Sequence, residues 1–150
     1  MNNKTLVSIL IPAYNAEKTI KYCLDSIIVQ ESNNYEIIVI DDGSSDNTYS
    51  RLLKYKDKSQ LTIIRQENKG ESLTRQALIE NACGKYVLFC DADYFLAPTA
   101  IQSVCSVLPA NDSDKKSKED LYVFGYNLVR IGEQKSVLNK NLKPGLFSKN

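Results

Sequence analysis

The chain has 150 residues, of which 43% are hydrophobic and 25% charged, and its formal net charge is +1. This length is enough for one domain with a hydrophobic core, and the composition is that of an ordinary globular protein. The near-neutral charge gives no electrostatic footprint for nucleic acid, and no apolar run approaches the roughly 20 residues of a membrane span. We therefore expect no nucleic-acid partner and no transmembrane segment in this chain.

Four cysteines and no histidine are present. No two cysteines form a C-x-x-C pair, so a zinc site is not expected. All four fall in helix or strand patterns, where cysteine is typically a small buried apolar residue. Together with an N-terminus that lacks a signal-peptide layout, this favours a reducing, cytoplasmic location. The absence of histidine removes the commonest general base and any Ser-His or Cys-His nucleophile pair.

The first two predicted elements are a strand and an amphipathic helix. Residues 5–11 form a compact apolar run stopped by Pro12, which predicts a buried strand. Asn15 offers N-cap chemistry for the helix that follows. One face of that helix is apolar at helical spacing, through Ile20, Cys23, Leu24, Ile27 and Ile28.

Strands and helices then alternate along the chain. Gly84 stands where a glycine would end the third predicted helix, and Pro98 suits the first turn of the fourth. The further predicted strands are 35–40, 61–65 and 86–90, and the further predicted helices are 45–56, 71–82 and 98–108.

The last third of the chain has a different pattern. Residues 111–120 are entirely polar and predict a surface loop. Residues 121–129 and 135–138 are strand-like on either side of Gly132, which predicts a C-terminal β-hairpin. The whole pattern predicts an α/β, Rossmann-like domain over residues 1–150, with a mostly parallel sheet and helices on both of its faces.

Three polar segments directly follow predicted strands: Pro12 to Asn15, Asp41-Asp42 and Asp91-Ala92-Asp93. Parallel sheets bind ligands beyond the carboxyl ends of their strands, so the fold brings these segments to one rim. Adjacent carboxylates repel, and a bound cation or a ligand donor relieves the repulsion. Oxygen ligands of this kind suit Mg²⁺ or Mn²⁺. The alternative is a set of strand-end turns in which Asp caps local N–H groups.

Asp42 and Arg75 are the further candidate binding residues. Alternation along the strand turns Asp41 and Asp42 in opposite directions, so one faces a ligand and the other the scaffold. We interpret Asp42 as an acceptor from a nucleobase N–H. Arg75 lies either on a solvated helix face or against a base, ribose or diphosphate, which its forked donors suit. Neither a P-loop nor a dinucleotide-binding fingerprint is present.

Taken together these residues resemble a family 2 glycosyltransferase, an inverting enzyme with a GT-A type fold. The matching segments span about residues 5–110 in the family's order, namely Val7 to Asn15, Ile38 to Thr48, Asn68-Lys69-Gly70 with Arg75, Gly84 to Val87 and Asp91-Ala92-Asp93. The resemblance implies transfer of a sugar from a nucleoside-diphosphate sugar, with a UDP-sugar favoured. The implied cofactor is Mg²⁺ or Mn²⁺, and the implied acceptor is a saccharide or a lipid-linked acceptor.

The resemblance also implies roles for individual residues. Pro12, Ala13 and Tyr14 match the loop that lines the nucleoside. Asp42 matches the acceptor from the uracil ring, and Arg75 matches a basic residue of the nucleotide pocket. Asp91 and Asp93 match the D-x-D pair that holds the metal, with Asp93 the direct ligand and Asp91 closer to the ribose or sugar.

The chain departs from the family pattern at two points. Tyr94 stands where many relatives carry a further Asp. The chain also ends at Asn150, whereas relatives continue into an acceptor-binding half that supplies the general base. The late acids have no base-like context: Asp112, Asp114, Glu119, Asp120 and Glu133. We expect the donor-binding half of a longer enzyme, inactive in transfer by itself, whose parent is cytoplasmic or peripheral at the inner face of the membrane.

Three other functions compete with this interpretation. A non-catalytic module that binds a nucleotide or cation is compatible with the same residues. A phospho-acceptor receiver domain requires an acidic pair after the first strand, where this chain has Pro12 to Asn15. A nucleotidyltransferase requires a glycine-rich phosphate loop at that place, and the sequence has none.

Overall fold

The structure, a computed structural model, describes residues 6–32, 34–108, 127–129 and 136–138. The chain divides into two compact units, Met1–Leu108 and Pro109–Asn150. A single domain over residues 1–150 stays a prediction.

The first unit is a four-stranded parallel sheet with helices. Its strands lie in the order β3-β2-β1-β4, and every pair is parallel. This confirms the predicted α/β fold. The elements are β1 (Val7–Ala13), α1 (Ile20–Ile28), β2 (Tyr35–Asp42), α2 (Thr48–Leu52) with a 3₁₀ turn (Leu53–Tyr55), β3 (Leu61–Gln66), α3 (Glu71–Asn81), β4 (Tyr86–Phe89) and α4 (Ala100–Val107).

Opposite faces of the strands bury different helices. Leu10, Ile38 and Ile40 pack with Leu78 of α3 on one face. Side chains alternate along a strand, so the odd-numbered residues of β1 and β2 face the other way. On that second face the Tyr35 hydroxyl donates to the carbonyl of Ile27 in α1 at 3.0 Å. Helices therefore cover both faces, as predicted.

The strand order creates a crevice between β1 and β4. The chain proceeds outward from β1 through β2 to β3 and then returns to the other side of β1 to form β4. Such a reversal separates the loops that follow β1 and β4 and leaves a ligand crevice at the carboxyl ends of these two strands. The segments after β1 and β4 are two of the three that the sequence places at the rim.

β1 extends beyond its predicted end and includes Pro12. Leu10 accepts from the N–H of Cys90, so the even-numbered residues of β1 direct their backbone groups towards β4. β4 pairs with β1 only as far as Leu10. The missing N–H of Pro12 therefore falls where β4 offers no ladder partner, which is why a proline is tolerated there.

In the second unit, β5 (Asn127–Val129) pairs antiparallel with β6 (Ser136–Leu138), and Leu128 lies opposite Val137. This pairing agrees with the predicted hairpin strands. The predicted polar loop at 111–120 lies outside the described residues. Within the part of the chain that the structure describes, no helix is long and apolar enough to cross a membrane.

Candidate functional site

A cleft of about 880 Å³ opens at the carboxyl ends of β1, β2 and β4. Its walls come from the β1–α1 loop, the end of β2, the start of α3 and the loop after β4. All seven residues predicted to bind nucleotide or metal line it: Pro12, Ala13, Tyr14, Asp42, Arg75, Asp91 and Asp93. The structure thus brings the predicted site residues together, while their individual roles stay predictions.

The β1–α1 loop is tied to the loop after β2. Asn15 has a positive φ of 48°, and its Oδ1 accepts from the N–H of Ser45 at 3.0 Å. The N–H of Asn15 in turn donates to Ser44 Oγ at 2.9 Å. The prediction that Asn15 caps α1 is wrong, because that helix begins later, after Thr19. Asn15 instead holds two rim loops together.

Asp42 is buried in the cleft wall and anchors the segment before α3. Its Oδ1 accepts from Gln66 Nε2 at 2.7 Å and from the N–H of Lys69 at 2.9 Å, and its Oδ2 accepts from the N–H of Gly70 at 2.9 Å. Burial by itself would raise the pKa of Asp42. The hydrogen bonds from Gln66, Lys69 and Gly70 outweigh burial and hold that pKa below its ordinary value.

Gly43 allows the segment carrying Lys69 and Gly70 to approach β2 closely. Its φ is +70°, and a Cβ there would lie 2.7 Å from the backbone N of Asn68. A side chain would both strain the backbone and displace the segment that Asp42 holds. The glycine is therefore required by the geometry of the cleft wall.

Asp41 faces away from the cleft, as alternation requires. It is fully buried, and its Oδ2 lies 3.2 Å from Arg65 Nε. Neither carboxylate oxygen makes a hydrogen bond, so the contact is a charge pair without hydrogen-bond alignment. The Arg65 guanidinium also stacks on Tyr49 at 4.5 Å. Asp41 therefore belongs to the scaffold and Asp42 to the cleft wall, in agreement with the opposite directions expected from alternation.

Asp91 and Arg75 form an ion pair across the cleft. Arg75 Nη2 lies 2.7 Å from Asp91 Oδ1, and Arg75 Nε donates to Glu71 Oε1 at 2.9 Å. The guanidinium also lies over the Phe89 ring at 4.9 Å. Arg75 is therefore neither free in solvent nor isolated. The contact between Arg75 and Glu71 could have been predicted from the sequence, because the two residues have the i, i+4 spacing of a helical ion pair.

Protein groups relieve much of the repulsion between the strand-end carboxylates. Arg65 faces Asp41, three donors hold Asp42, and Arg75 faces Asp91. Asp93 is exposed at the cleft. The sequence predicted a bound cation because these acids are crowded. Since protein groups already relieve much of their repulsion, the crowding does not by itself require a cation.

The residues fit a metal ion that is shared with a phosphate. Among the described residues, no group of three or more His, Cys, Asp or Glu side chains is arranged to hold a metal. Mg²⁺ is commonly bound by one or two carboxylates together with substrate phosphates, and keeps several waters. Asp91 and Asp93 supply two carboxylates of this kind at the cleft wall.

The fold and the cleft define an α/β domain of the GT-A type, with its candidate site at the carboxyl ends of the strands. The model of the Glycosyl transferase family 2 matches residues 8–114. The chain therefore belongs to glycosyltransferase family 2, which confirms the resemblance seen in the sequence.

Two curated relatives illustrate the match. The uncharacterized glycosyltransferase YibD of Escherichia coli K12 is 36% identical over 115 residues, which cover 76% of this chain and 33% of that protein. The E. coli enzyme UDP-Glc:alpha-D-GlcNAc-diphosphoundecaprenol beta-1,3-glucosyltransferase WfgD is 30% identical over 139 residues, or 93% of this chain and 51% of that protein. The chain thus spans a third to a half of the length of these relatives.

Two solved structures share the fold. Staphylococcus aureus TarS 1-349 in complex with UDP-GlcNAc matches with a TM-score of 0.64 and 30% identity, over 67% of this chain and 30% of that chain. The mannosyltransferase PcManGT from Pyrobaculum calidifontis, in complex with GDP-Man and Mn²⁺, matches with a TM-score of 0.64 and 26% identity. That match covers 71% of this chain and 32% of PcManGT.

Proposed function

We propose that this chain is the donor-binding part of an inverting glycosyltransferase, and that it binds a nucleoside-diphosphate sugar, with a UDP-sugar favoured, through Mg²⁺ or Mn²⁺. The observation that carries the proposal is the single cleft that all seven predicted residues line. Bound UDP-GlcNAc in TarS and bound GDP-Man with Mn²⁺ in PcManGT support this class of ligand.

The cleft suggests a division of labour between its walls. Pro12, Ala13 and Tyr14 line the side proposed for the nucleoside, with Asp42 accepting from the base. Arg75 provides a guanidinium that suits phosphate oxygens. A metal held by Asp93, with Asp91 beside the ribose or sugar, would neutralise charge that develops on the departing diphosphate. Asp91 and Arg75 pair in this structure, so donor binding must share or break that contact.

The acceptor and the general base are proposed to lie with the rest of a longer protein. WfgD, whose name gives a UDP-glucose donor and a lipid-diphosphate acceptor, supports a saccharide or lipid-linked acceptor. The four cysteines are all free, which supports a reducing, cytoplasmic location, with the parent peripheral at the inner face of the membrane.

Titration calorimetry with UDP, GDP and ADP, each with and without Mn²⁺, tests the proposal. We expect UDP to bind, and to bind more tightly when Mn²⁺ is present, because the carboxylates and the diphosphate then share the ion. Metal-independent affinity, or a preference for ADP over UDP, would contradict the assignment.

A further inference from the structure

Two buried thiols lie directly behind the acidic loop, defined here as Asp91 to Asp93. Cys23 of α1 is fully buried and Cys90 is 3% exposed. Their Sγ atoms are 3.9 Å apart. Both face the backbone carbonyl oxygen of Asp91, at 3.7 Å from Cys23 and 3.8 Å from Cys90. Two sulfur atoms and one oxygen therefore form a nearly equilateral triangle.

The size of this triangle matches the coordination distances of a metal ion. With sides of 3.9, 3.7 and 3.8 Å, its centre lies about 2.2 Å from each corner, close to typical distances of about 2.3 Å for zinc–sulfur and about 2.0–2.2 Å for zinc–oxygen bonds. A disulfide would instead require the two sulfurs to close to about 2.05 Å. The geometry thus suits chelation without movement better than oxidation.

We propose that Cys23, Cys90 and the Asp91 carbonyl form a binding site for one thiophilic metal ion of the Cu⁺, Cd²⁺ or Zn²⁺ class. Thiolate ligands select such ions over Mg²⁺ and Mn²⁺. On binding, each thiol releases its proton to solvent and forms one sulfur–metal bond, the carbonyl oxygen donates a lone pair, and no oxidation occurs. The absence of C-x-x-C spacing led us to expect no zinc site. Cys23 and Cys90 are 67 residues apart in the sequence, so their proximity does not depend on that spacing.

The surroundings of the triangle favour a cation. Thr19, Asp91 and Ala92 line the cleft, and Cys23 follows Thr19 by one helical turn. The site therefore lies just behind the cleft wall, from which an ion would enter. The carboxylates of Asp91 and Asp93 also lie at this wall, where their negative charges attract an approaching metal ion.

An ion at this site would act on the acidic loop. The Asp91 carbonyl also accepts from the N–H of Tyr94 at 2.9 Å, which closes the turn through the loop. A metal bond to that oxygen competes with the turn, so an ion there would displace Asp91 and Asp93 from their places at the cleft wall. On the basis of the proposed function, we expect the thiophilic ion to weaken Mn²⁺-dependent UDP binding.

Cadmium titration of the reduced, metal-free chain tests the site. The ultraviolet charge-transfer band of cadmium thiolate reports sulfur ligation directly. We expect the band to saturate at one Cd²⁺ per chain in the Cys83→Ser/Cys105→Ser variant, which keeps only the proposed pair. Cys23→Ser/Cys90→Ser should bind at least 100-fold more weakly. A band that persists in Cys23→Ser/Cys90→Ser, or that is absent from Cys83→Ser/Cys105→Ser, would overturn the proposal.

Two further measurements keep the test decisive. If the double variant unfolds, Cys23→Ala and Cys90→Ala are compared singly, and each must lose the two-thiolate band. Calorimetry with UDP and Mn²⁺ then follows with and without Cd²⁺. The thiolate band reports cadmium bound to sulfur, gives no signal for cadmium bound only by carboxylates, and does not depend on UDP. The metal site at Cys23 and Cys90 and the proposed function can therefore fail independently of each other.

Discussion

Asp42 combines a scaffold role with its place in the cleft wall. A carboxylate has about four acceptor sites, and three donors from the protein already use Asp42. About one site therefore remains for a ligand N–H. The base recognition proposed for Asp42 would therefore depend on the same hydrogen bonds that position Lys69 and Gly70, and a substitution at Asp42 would change both.

We predict that Asp42→Asn lowers the free energy of unfolding by about 1–3 kcal/mol at pH 7, because an amide nitrogen would face a backbone donor and leave it unsatisfied. Urea unfolding measures the effect. Asp57→Asn, at an exposed position outside the cleft, is the control and should be neutral. Equal effects of the two substitutions would contradict the role of Asp42.

The loss of stability caused by Asp42→Asn should depend on pH. The folded pKa of Asp42 is lowered, so its contribution is complete above the unfolded value of about 3.9 and is lost as pH falls through the folded value. The difference between wild type and Asp42→Asn should therefore shrink below about pH 4.

Asp93 is predicted to serve the ligand rather than the fold. Asp93→Asn should weaken UDP binding in Mn²⁺ by about tenfold or more, or 1.4 kcal/mol, and should leave the melting temperature unchanged or slightly higher because one negative charge is removed. Calorimetry and thermal unfolding, with Asp57→Asn alongside, measure both. A melting temperature lower by many degrees would show that Asp93 is structural.

The residue types of the site could be predicted from the sequence, but their partners could not. A strand followed by acidic residues is a local pattern, so Asp42, Asp91 and Asp93 were found. The contact of Asp42 with Gln66 spans 24 residues and depends on the register of β2 with β3. That register follows from tertiary packing, which no short window of sequence contains.

At the scale of elements, α1 holds the segment that carries the acidic loop. Cys23, Ser26 and Gln30 lie along one side of this helix and its end. The Cys23 thiol faces the Asp91 carbonyl, and Ser26 Oγ accepts from the N–H of Leu96 at 2.9 Å. Gln30 donates to the carbonyl of Ala97 at 2.9 Å and accepts from the N–H of Ile101. The acidic loop is therefore positioned from outside the sheet.

We predict that Gln30→Ala destabilises the domain by about 1–3 kcal/mol, because it leaves the buried N–H of Ile101 without its side-chain partner and removes one of the hydrogen bonds to the Ala97 carbonyl. Hydrogen exchange should show faster opening at residues 96–101 than at β1. Gln76→Ala is the matched control, since Gln76 is exposed and bonds only within α3. Similar exchange in both variants would contradict the anchoring role of α1.

Element types and the starts of β2, β3, α3 and β4 were predictable, but the start of α1 was not. Apolar periodicity identified β1 and α1, because burial of one face imposes it. Asn15 was assigned to the start of α1 because Asn is a common N-cap. In the folded protein its side chain bonds to Ser45, 30 residues away, and a local capping preference contains no information about such a neighbour.

At the scale of the whole molecule, the chain covers 33% of YibD and 51% of WfgD. We predict that it binds the donor without transferring sugar to a saccharide acceptor. Base catalysis typically contributes about 10²–10⁴-fold, and the proposed base lies outside this chain. A radiolabelled-donor assay over a panel of acceptors measures this, with a full-length relative such as WfgD as the positive control. Acceptor-dependent turnover near the rate of the full-length enzyme would require a base among residues 1–150.

The placement of β1 between β2 and β4 also orders the folding reaction. Ser8 contacts Glu36 across 28 residues but Gly84 across 76, so closing the longer loop costs about 0.9 kcal/mol more chain entropy. We expect β1, α1 and β2 to condense in the transition state and β4 to join afterwards. Ile38→Val should then slow refolding, whereas Leu88→Ala should mainly speed unfolding, and the reverse pattern in stopped-flow kinetics would refute this order. The side of the cleft proposed for the nucleoside would then form before the side that carries Asp91 and Asp93, proposed for the metal.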